Sequence, residues 1–566
     1  MELFSIDWSL SNRQHIPKRE IVTIPMSDGI TLSATVTRPE GSELFPALVC
    51  AHAYSTDDQF MPMRPIAFTH DRGHLEAGSP EFFARRGYAH VVVNVRGTGQ
   101  SGGTYDNLGA RTIQDLAEVI DWLAGQQWCT GNVGMFGISF FAIVQPLVAQ
   151  LEPSALKAIF APYGYSDMYR DRYYHGGILS HRFMQAWLPL LDNPRLKSLL
   201  IDEIGEDAFD KGIAEARADG DLMAVEFLKG ILDNPLGGQN GMIADILQMP
   251  LDNEYYRERS VDYNRGCKVP GYFGACWGVH GLHLPGALRS FENWNGPRKL
   301  TIGPPIYLDR PFYQYHMEAL RWFDHWLKGN DTGMMEEPDV NLFVVGSGQW
   351  KSAASWPLPE SRFTRFYLHE NGEMSEREYM EGEGNTSFAD SPYKREDLEF
   401  WSYKMVEQTE IVGPMVLNLH ASTTDNEALI YVSILHRDAS GKETLLTRGW
   451  LRGSQRATDP ERSKPWQPWH SHDKREPLEP GKIYEFSIEV RPYAIALKPG
   501  EQLGVRIKCA DDEVPAHNLD VISQGHLWRA GGARITIHHN AEYPSHLVVP
   551  VTGGNRIGTF VSGGRL

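Results

Sequence analysis

The chain has 566 residues, 54 of them basic and 72 acidic, which gives a formal charge of −18. At 42% hydrophobic and 22% charged residues it carries enough apolar material for packed cores, which excludes a disordered polymer. The acidic balance argues against a dedicated nucleic-acid binder, and no 18-residue apolar run offers a membrane-spanning helix.

In chain order, residues 20–39 read as a β-hairpin, two β-rich runs around Ser27-Asp28-Gly29. Two apolar runs, Phe45 to Cys50 and His90 to Val95, read as buried parallel strands, apolar on both faces. From Thr112 to Gln127 the period becomes helical, with Ile113, Leu116, Val119, Ile120 and Leu123 on one stripe and Thr112 and Asp115 expected as N-cap and first-turn acid. A strand, Val133 to Phe136, then turns through Gly137-Ile138-Ser139 into an apolar helix, Phe140 to Leu151, and a further strand follows at Leu156 to Ala161. This alternation predicts a parallel sheet with right-handed crossovers.

Residues 163–262 break the pattern and read as a helical insertion, headed by the tyrosines Tyr163, Tyr165, Tyr169, Tyr173 and Tyr174. Strand–helix alternation resumes with Val269 to Trp277, Leu284 to Asn293 and Lys299 to Ile302, closing on an amphipathic helix, Phe312 to Lys328. From about residue 340 short alternating runs punctuated by Gly, Pro and Asp predict an all-β sandwich or jelly roll. The expected division is 1–162 and 263–338 for an α/β core, 163–262 for its cap and 339–566 for the β-domain.

Five well-separated cysteines form no CxxC pair, so the expectation is buried, reduced thiols and no zinc ribbon or disulfide scaffold. The first residues lack a signal-peptide pattern, and a cytoplasmic location is the default expectation. No cofactor fingerprint or metal-ligand set is visible: His70 and His74 share one loop, and His316 and His325 read as packing residues of the amphipathic helix. The partner expected is a small-molecule substrate, not nucleic acid or membrane, and association with a second copy is left open.

The sharp passage from strand to helix at Gly137-Ile138-Ser139 is the physical form of a nucleophile elbow. A serine there projects its hydroxyl above the sheet edge, and the helix N-terminus offers backbone N–H groups to an oxyanion. Several stretches together resemble the cocaine-esterase and X-prolyl dipeptidyl peptidase family of serine hydrolases. They are Ala53-Tyr54, the run Asn94 to Gly103 with Arg96-Gly97-Thr98-Gly99-Gln100-Ser101-Gly102-Gly103, Gly134 to Ser139, and Ala319 to Gly329. The resemblance spans nearly the whole chain and implies an α/β-hydrolase core, an inserted helical cap and a C-terminal jelly roll, in agreement with the periodicity.

The resemblance assigns Ser139 as nucleophile, and Tyr54 with the Phe140 amide as oxyanion hole. Where the family keeps its triad aspartate this chain has Val279, and where it keeps its histidine this chain has Tyr307. Phe141 also stands two residues after the serine, where the elbow pattern has a small residue. A serine without a base is a weak nucleophile near neutral pH. The residues therefore leave open which group replaces it: His280 or His283, in the loop that would carry the aspartate, with Asp167 beyond the preceding strand as an acid. The expected activity is a serine-dependent hydrolase or acyl transferase acting on an ester or amide of a small organic substrate; the residues also leave open a lyase or isomerase using Tyr307 as proton donor, and a binding protein on a hydrolase scaffold.

Overall fold

A computed structural model describes residues 15–57, 76–194, 196–278, 281–305, 311–379, 383–391, 396–512 and 525–554. The N-terminal hairpin is β1 (Pro17–Pro25) against β2 (Thr31–Pro39), in the register Pro17 opposite Pro39. The strand β3 (Phe45–His52) and, after helix α1 (Pro80–Arg85), the strand β4 (Ala89–Asn94) are buried at every residue, as two-faced parallel strands require. Next come α2 (Ala110–Ala124), β5 (Cys129–Phe136), α3 (Phe140–Ala149) and β6 (Leu156–Pro162).

The cap begins with one wide helical turn, Tyr169–Tyr173, and a two-residue-per-strand hairpin, β7 (Tyr174–His175) and β8 (Ile178–Leu179). Short helices follow, from α4 (Arg182–Trp187) to α10 (Glu254–Arg257). The core then resumes with β9 (Gly271–Cys276), α11 (Leu284–Asn293), β10 (Arg298–Gly303) and α12 (Pro311–Lys328). Two more strands, β11 (Val340–Val344) and β12 (Gln349–Ala353), complete one sheet in the order β1-β2-β4-β3-β5-β6-β9-β10-β11-β12. From β4 to β11 its neighbours are parallel.

This differs from the sequence reading at one boundary. The run at Val340 alternates as a β-domain strand would, yet it pairs with β10, Leu300 opposite Val340. It lies next to the edge strand β12, and its burial alternates, with Asn341 and Phe343 only half-buried.

The remaining chain, from β13 (Arg362–Leu368) to β23 (His546–Gly554), is an all-β domain built on an 11-stranded sheet whose long strands β17 (Thr409–Thr423) and β20 (Tyr484–Leu497) pair antiparallel. It docks on the core and cap through backbone and ions. Val345 bridges Ile495, Arg452 N–H donates to the Gly176 carbonyl at 2.8 Å, and Arg289 pairs with Glu489 at 3.2 Å.

Helix α2 also corrects an expectation. Gly109 takes the cap position, and Asp106 supplies the acceptor, receiving Thr112 Oγ1 at 2.6 Å and the Thr112 amide at 3.0 Å. Asp115 turns inward instead of meeting the helix dipole. It is 1% exposed and accepts from Arg96 Nε at 2.6 Å, so the Arg96-Gly97-Thr98-Gly99 loop is pinned by a buried ion pair. The five cysteines are all buried free thiols. Among the described residues no helix is long and apolar enough to cross a membrane.

Candidate active site

Ser139 has φ 56° and ψ −121°, a conformation that a serine does not adopt without a surrounding structure to hold it. Two features hold it. The Ser139 carbonyl accepts the Ala142 and Ile143 amides at 2.9 Å, starting α3, and the Ile138 N–H donates to the Glu76 carbonyl at 3.0 Å. Gly137 makes the turn possible. Its φ is 126°, and a Cβ there would stand 2.5 Å from the Phe141 Cβ and 3.0 Å from the Glu76 carbonyl oxygen. The bulky Phe141 is thus accommodated because the residue four before it has no side chain. Its ring stacks on His52 at 5.0 Å and 13°, filling the space between α3 and the end of β3.

The half-buried Ser139 opens into a narrow pocket shared with Tyr54, Phe140, Tyr165, Arg172, Trp187 and His283, walled by Ile143, Phe183 and Leu282. Trp187 Nε1–H donates to the Tyr54 hydroxyl at 3.1 Å. An indole nitrogen only donates, so the phenol oxygen accepts here and retains its own O–H as a donor. Phe140 is the first residue of α3, and its N–H has no acceptor within the helix, as at every helix N-terminus. Tyr54 and Phe140 meet edge to face at 5.8 Å. The two residues that the resemblance assigns to the oxyanion hole therefore line the serine's pocket.

His283 immediately precedes α11 and its ring meets Tyr163 edge to face, ring centroids 5.9 Å apart. Burial pushes its imidazole down to about 3, so it is neutral at ordinary pH. Asp167 is elsewhere. It accepts the Arg170 amide at 2.8 Å and pairs with Arg170 Nη1 at 2.9 Å. Burial raises its carboxyl, but the charges of Arg170 and Arg289 outweigh this and hold it below the ordinary range. It is a capped ion-pair residue of the cap–β-domain contact rather than a neighbour of Ser139. His280, Tyr307 and Val279, with His70 and His74, lie outside the described residues. His316 accepts the Ser79 amide at 2.7 Å and packs on Phe83.

The residue that sequence reasoning missed is Glu76. Burial is the larger effect on its carboxyl and pushes it up to about 8, the nearby Ser139 hydroxyl pulling the other way. The residue as a whole is half-buried, but Oε2 is shut off from solvent and makes no hydrogen bond among the described residues. The segment carrying it is firmly tied. Its carbonyl takes the Ile138 amide, the Ala77 carbonyl faces His90 Nε2 at 2.8 Å, and Ser79 N–H reaches His316.

His52 is the other buried ionisable group near the elbow. Its Nδ1 accepts the Tyr54 amide at 3.1 Å, which puts the ring proton on Nε2 and leaves that nitrogen a donor. Burial lowers it to about 3.

Comparisons with known proteins bear on the family and the fold. A profile described as X-Pro dipeptidyl-peptidase (S15 family) matches residues 28–306, and one described as the X-Pro dipeptidyl-peptidase C-terminal non-catalytic domain matches 332–548. Cocaine esterase of Rhodococcus sp. (strain MB1 Bresler) is 24% identical over 94% of this chain and 98% of its own length. A putative Xaa-Pro dipeptidyl-peptidase of Bacillus cereus is 22% identical over 78% of this chain and 74% of its own. A CocE/NonD family hydrolase from Staphylococcus aureus, 25% identical, superposes with a TM-score of 0.80 over 94% of both chains. An α-amino acid ester hydrolase, 17% identical with a TM-score of 0.73 over 96% of this chain and 97% of its own, shares the fold. With both of its parts matched in order, an α/β core and a C-terminal β-domain, the chain belongs to the X-Pro dipeptidyl-peptidase (S15) and cocaine-esterase family of hydrolases.

Proposed function

We propose that the protein is a serine hydrolase that cleaves an ester or amide of a small organic substrate through an acyl intermediate on Ser139, with Glu76 as the proton acceptor. The observation that carries this reading is the strained elbow serine tied through the Ile138 amide to the Glu76 carbonyl, with a carboxyl oxygen of Glu76 shut off from solvent beside it. In its ionised form Glu76 takes the Ser139 hydroxyl proton as Oγ bonds to the substrate carbonyl carbon. The resulting oxyanion receives the Tyr54 O–H and the Phe140 N–H, each donor worth about 3 kcal/mol in such sites. As the carbon–oxygen or carbon–nitrogen bond breaks, the protonated Glu76 gives its proton to the departing alkoxide or amine. Water then yields a proton to Glu76, its oxygen attacks the acyl carbon, and Ser139 leaves with that proton restored.

His283 is the second reading, favoured because it lines the same pocket. The pH dependence separates the two. Glu76, raised to about 8, is mostly protonated at pH 7 and becomes a base as pH rises through 8. His283, lowered to about 3, is already deprotonated from pH 5 upward and gives no limb in that range. A positioned general base contributes about 10²- to 10⁴-fold.

The test is the rate of fluorophosphonate labelling between pH 5 and pH 10. Labelling on Ser139, absent in Ser139→Ala and rising with a midpoint near pH 8, is the expected result. Glu76→Gln should slow it about 100-fold and flatten the limb, while His283→Ala keeps the limb. A labelling rate that is already flat from pH 5, is unchanged in Glu76→Gln and is lost in His283→Ala moves the base to His283. No labelling of Ser139 at any pH sinks the hydrolase reading.

A further inference from the structure

Arg172 stands in the wall of the Ser139 pocket and is 3% exposed. Its Nη1 is committed to the protein, donating to the Tyr165 hydroxyl at 3.0 Å and to Asn107 Oδ1 at 3.3 Å. The guanidinium plane is held over Trp187 at 4.3 Å and Tyr173 at 4.8 Å. Nε is buried without an acceptor, and no hydrogen bond among the described residues uses Nη2. These two nitrogens form the side-on edge of the guanidinium, the fork that matches a carboxylate.

Its lack of a counter-ion sets Arg172 apart. The buried arginines Arg96, Arg170, Arg289, Arg452 and Arg491 each pair with an aspartate or glutamate, whereas Arg172 makes no ion pair among the described residues. An arginine does not deprotonate when buried, so the pocket holds a permanent positive charge on rigid aromatic supports. The contact path from the chemistry is short: Phe140 touches Tyr54, Tyr54 bonds Trp187, and Trp187 underlies Arg172.

We infer that the pocket selects substrates carrying a carboxylate, which docks on Nε and Nη2 of Arg172 while the ester or amide carbonyl reaches Ser139. This rests on the serine-hydrolase reading for its chemistry, but not for its binding. The substrate class is therefore a monoester or monoamide of a small dicarboxylic acid, or an acylated hydroxy or amino acid with a free carboxylate. Such a compound brings the missing counter-ion with it, and a neutral analogue leaves the guanidinium desolvated and unpaired, which is the stronger basis for discrimination.

The experiment uses monoethyl glutarate, which carries one carboxylate, and the neutral diethyl glutarate. Calorimetric titration of the Ser139→Ala protein reads binding without chemistry. It should bind the monoester at least 10-fold more tightly than the diester, and Arg172→Gln in the same background should bring that ratio close to one. Arg172→Lys, which keeps the charge but loses the fork, should fall between. In the wild-type enzyme the ratio of kcat/KM for monoester over diester should exceed 30-fold and collapse in Arg172→Gln, mainly through KM. Equal binding of the two esters by the Ser139→Ala protein, which needs no change at Arg172, overturns the proposal. So does an Arg172→Gln enzyme that loses both esters equally, the result of a purely structural arginine. Selective binding of the monoester without turnover of either ester by wild type would leave the anion pocket standing and remove the hydrolase reading.

Discussion

Two arginines on one turn of the cap meet opposite fates. Arg170 faces the β-domain and its charge is neutralised: Nη1 reaches Asp167 at 2.9 Å and Asp252 at 2.8 Å, and Nη2 donates to the His470 and Ser471 carbonyls at 2.8 and 3.0 Å. Around it Asp171 holds Arg289, and Glu489 is shared by Arg289 and Arg491. Arg172, two residues on, faces the Ser139 pocket with aromatic faces and an asparagine but no acid. Charges that serve the fold are neutralised by the fold, because an unpaired buried ion costs several kcal/mol. A charge that the fold leaves uncompensated is maintained against that cost, and its compensation comes with a ligand.

The largest effect should come from breaking the charge-compensated side. Arg289→Leu strands Asp171, which keeps only its contacts with the Ser166 and Asp167 amides at 3.2 and 3.1 Å and with the Ser166 hydroxyl. Removing one partner of such a buried pair costs about 3–5 kcal/mol. Urea unfolding of the variant should show a loss of that size, while the folded fraction still labels on Ser139. A loss below about 1 kcal/mol would mean that the cluster is not what cements the cap to the β-domain.

That cluster also marks where sequence stops being informative. The α/β core was legible because buried parallel strands such as β3 and β4 are apolar throughout and the helices between them have a 3.6-residue stripe. Ser139 was legible as a candidate from the elbow after β5, and the family resemblance pointed to Tyr54 and the Phe140 amide; all three line one pocket. Glu76 was not legible. It sits outside any periodic segment, 63 residues before the serine, and only the carbonyl that takes the Ile138 amide brings it to the elbow. Asp167 illustrates the reverse. Its position after β6 suits a catalytic acid, and only its three-dimensional partners place it with Arg170. Arg172 lay within the tyrosine-rich head of the cap that composition singled out, yet pairing, or its absence, is a tertiary property. The bulky Phe141, by sequence a flaw in the elbow, is matched by the missing side chain at Gly137 and by the His52 ring.

A middle-sized effect is expected on the pocket side, at the donors shared by Tyr54 and Trp187. Tyr54→Phe removes one oxyanion donor and should lower kcat/KM by about 100-fold with little change in KM. Trp187→Phe keeps the ring beneath Arg172 but loses the N–H that holds the Tyr54 oxygen at 3.1 Å. A lost hydrogen bond of this kind is worth about 1 kcal/mol, or roughly 5-fold in kcat/KM. Equal losses in the two variants would show that Trp187 acts on more than the orientation of the phenol.

The smallest effect is the most pointed. Arg172→Gln removes a buried cation, as Arg289→Leu does, but it leaves no carboxylate behind. What is lost is the stacking over Trp187 and Tyr173 and the bonds to Tyr165 and Asn107. A desolvated cation–π contact is worth about 2 kcal/mol, and relief of the uncompensated charge acts in the opposite direction. The ligand-free stability should therefore stay within about 1 kcal/mol of wild type in urea unfolding. Adding monoethyl glutarate should then stabilise the Ser139→Ala protein and not its Arg172→Gln derivative, because only binding to the native state shifts the midpoint. If Arg172→Gln instead cost as much as Arg289→Leu, Arg172 would belong with Arg170 as part of the framework, and the contrast between the two sides of the turn would vanish.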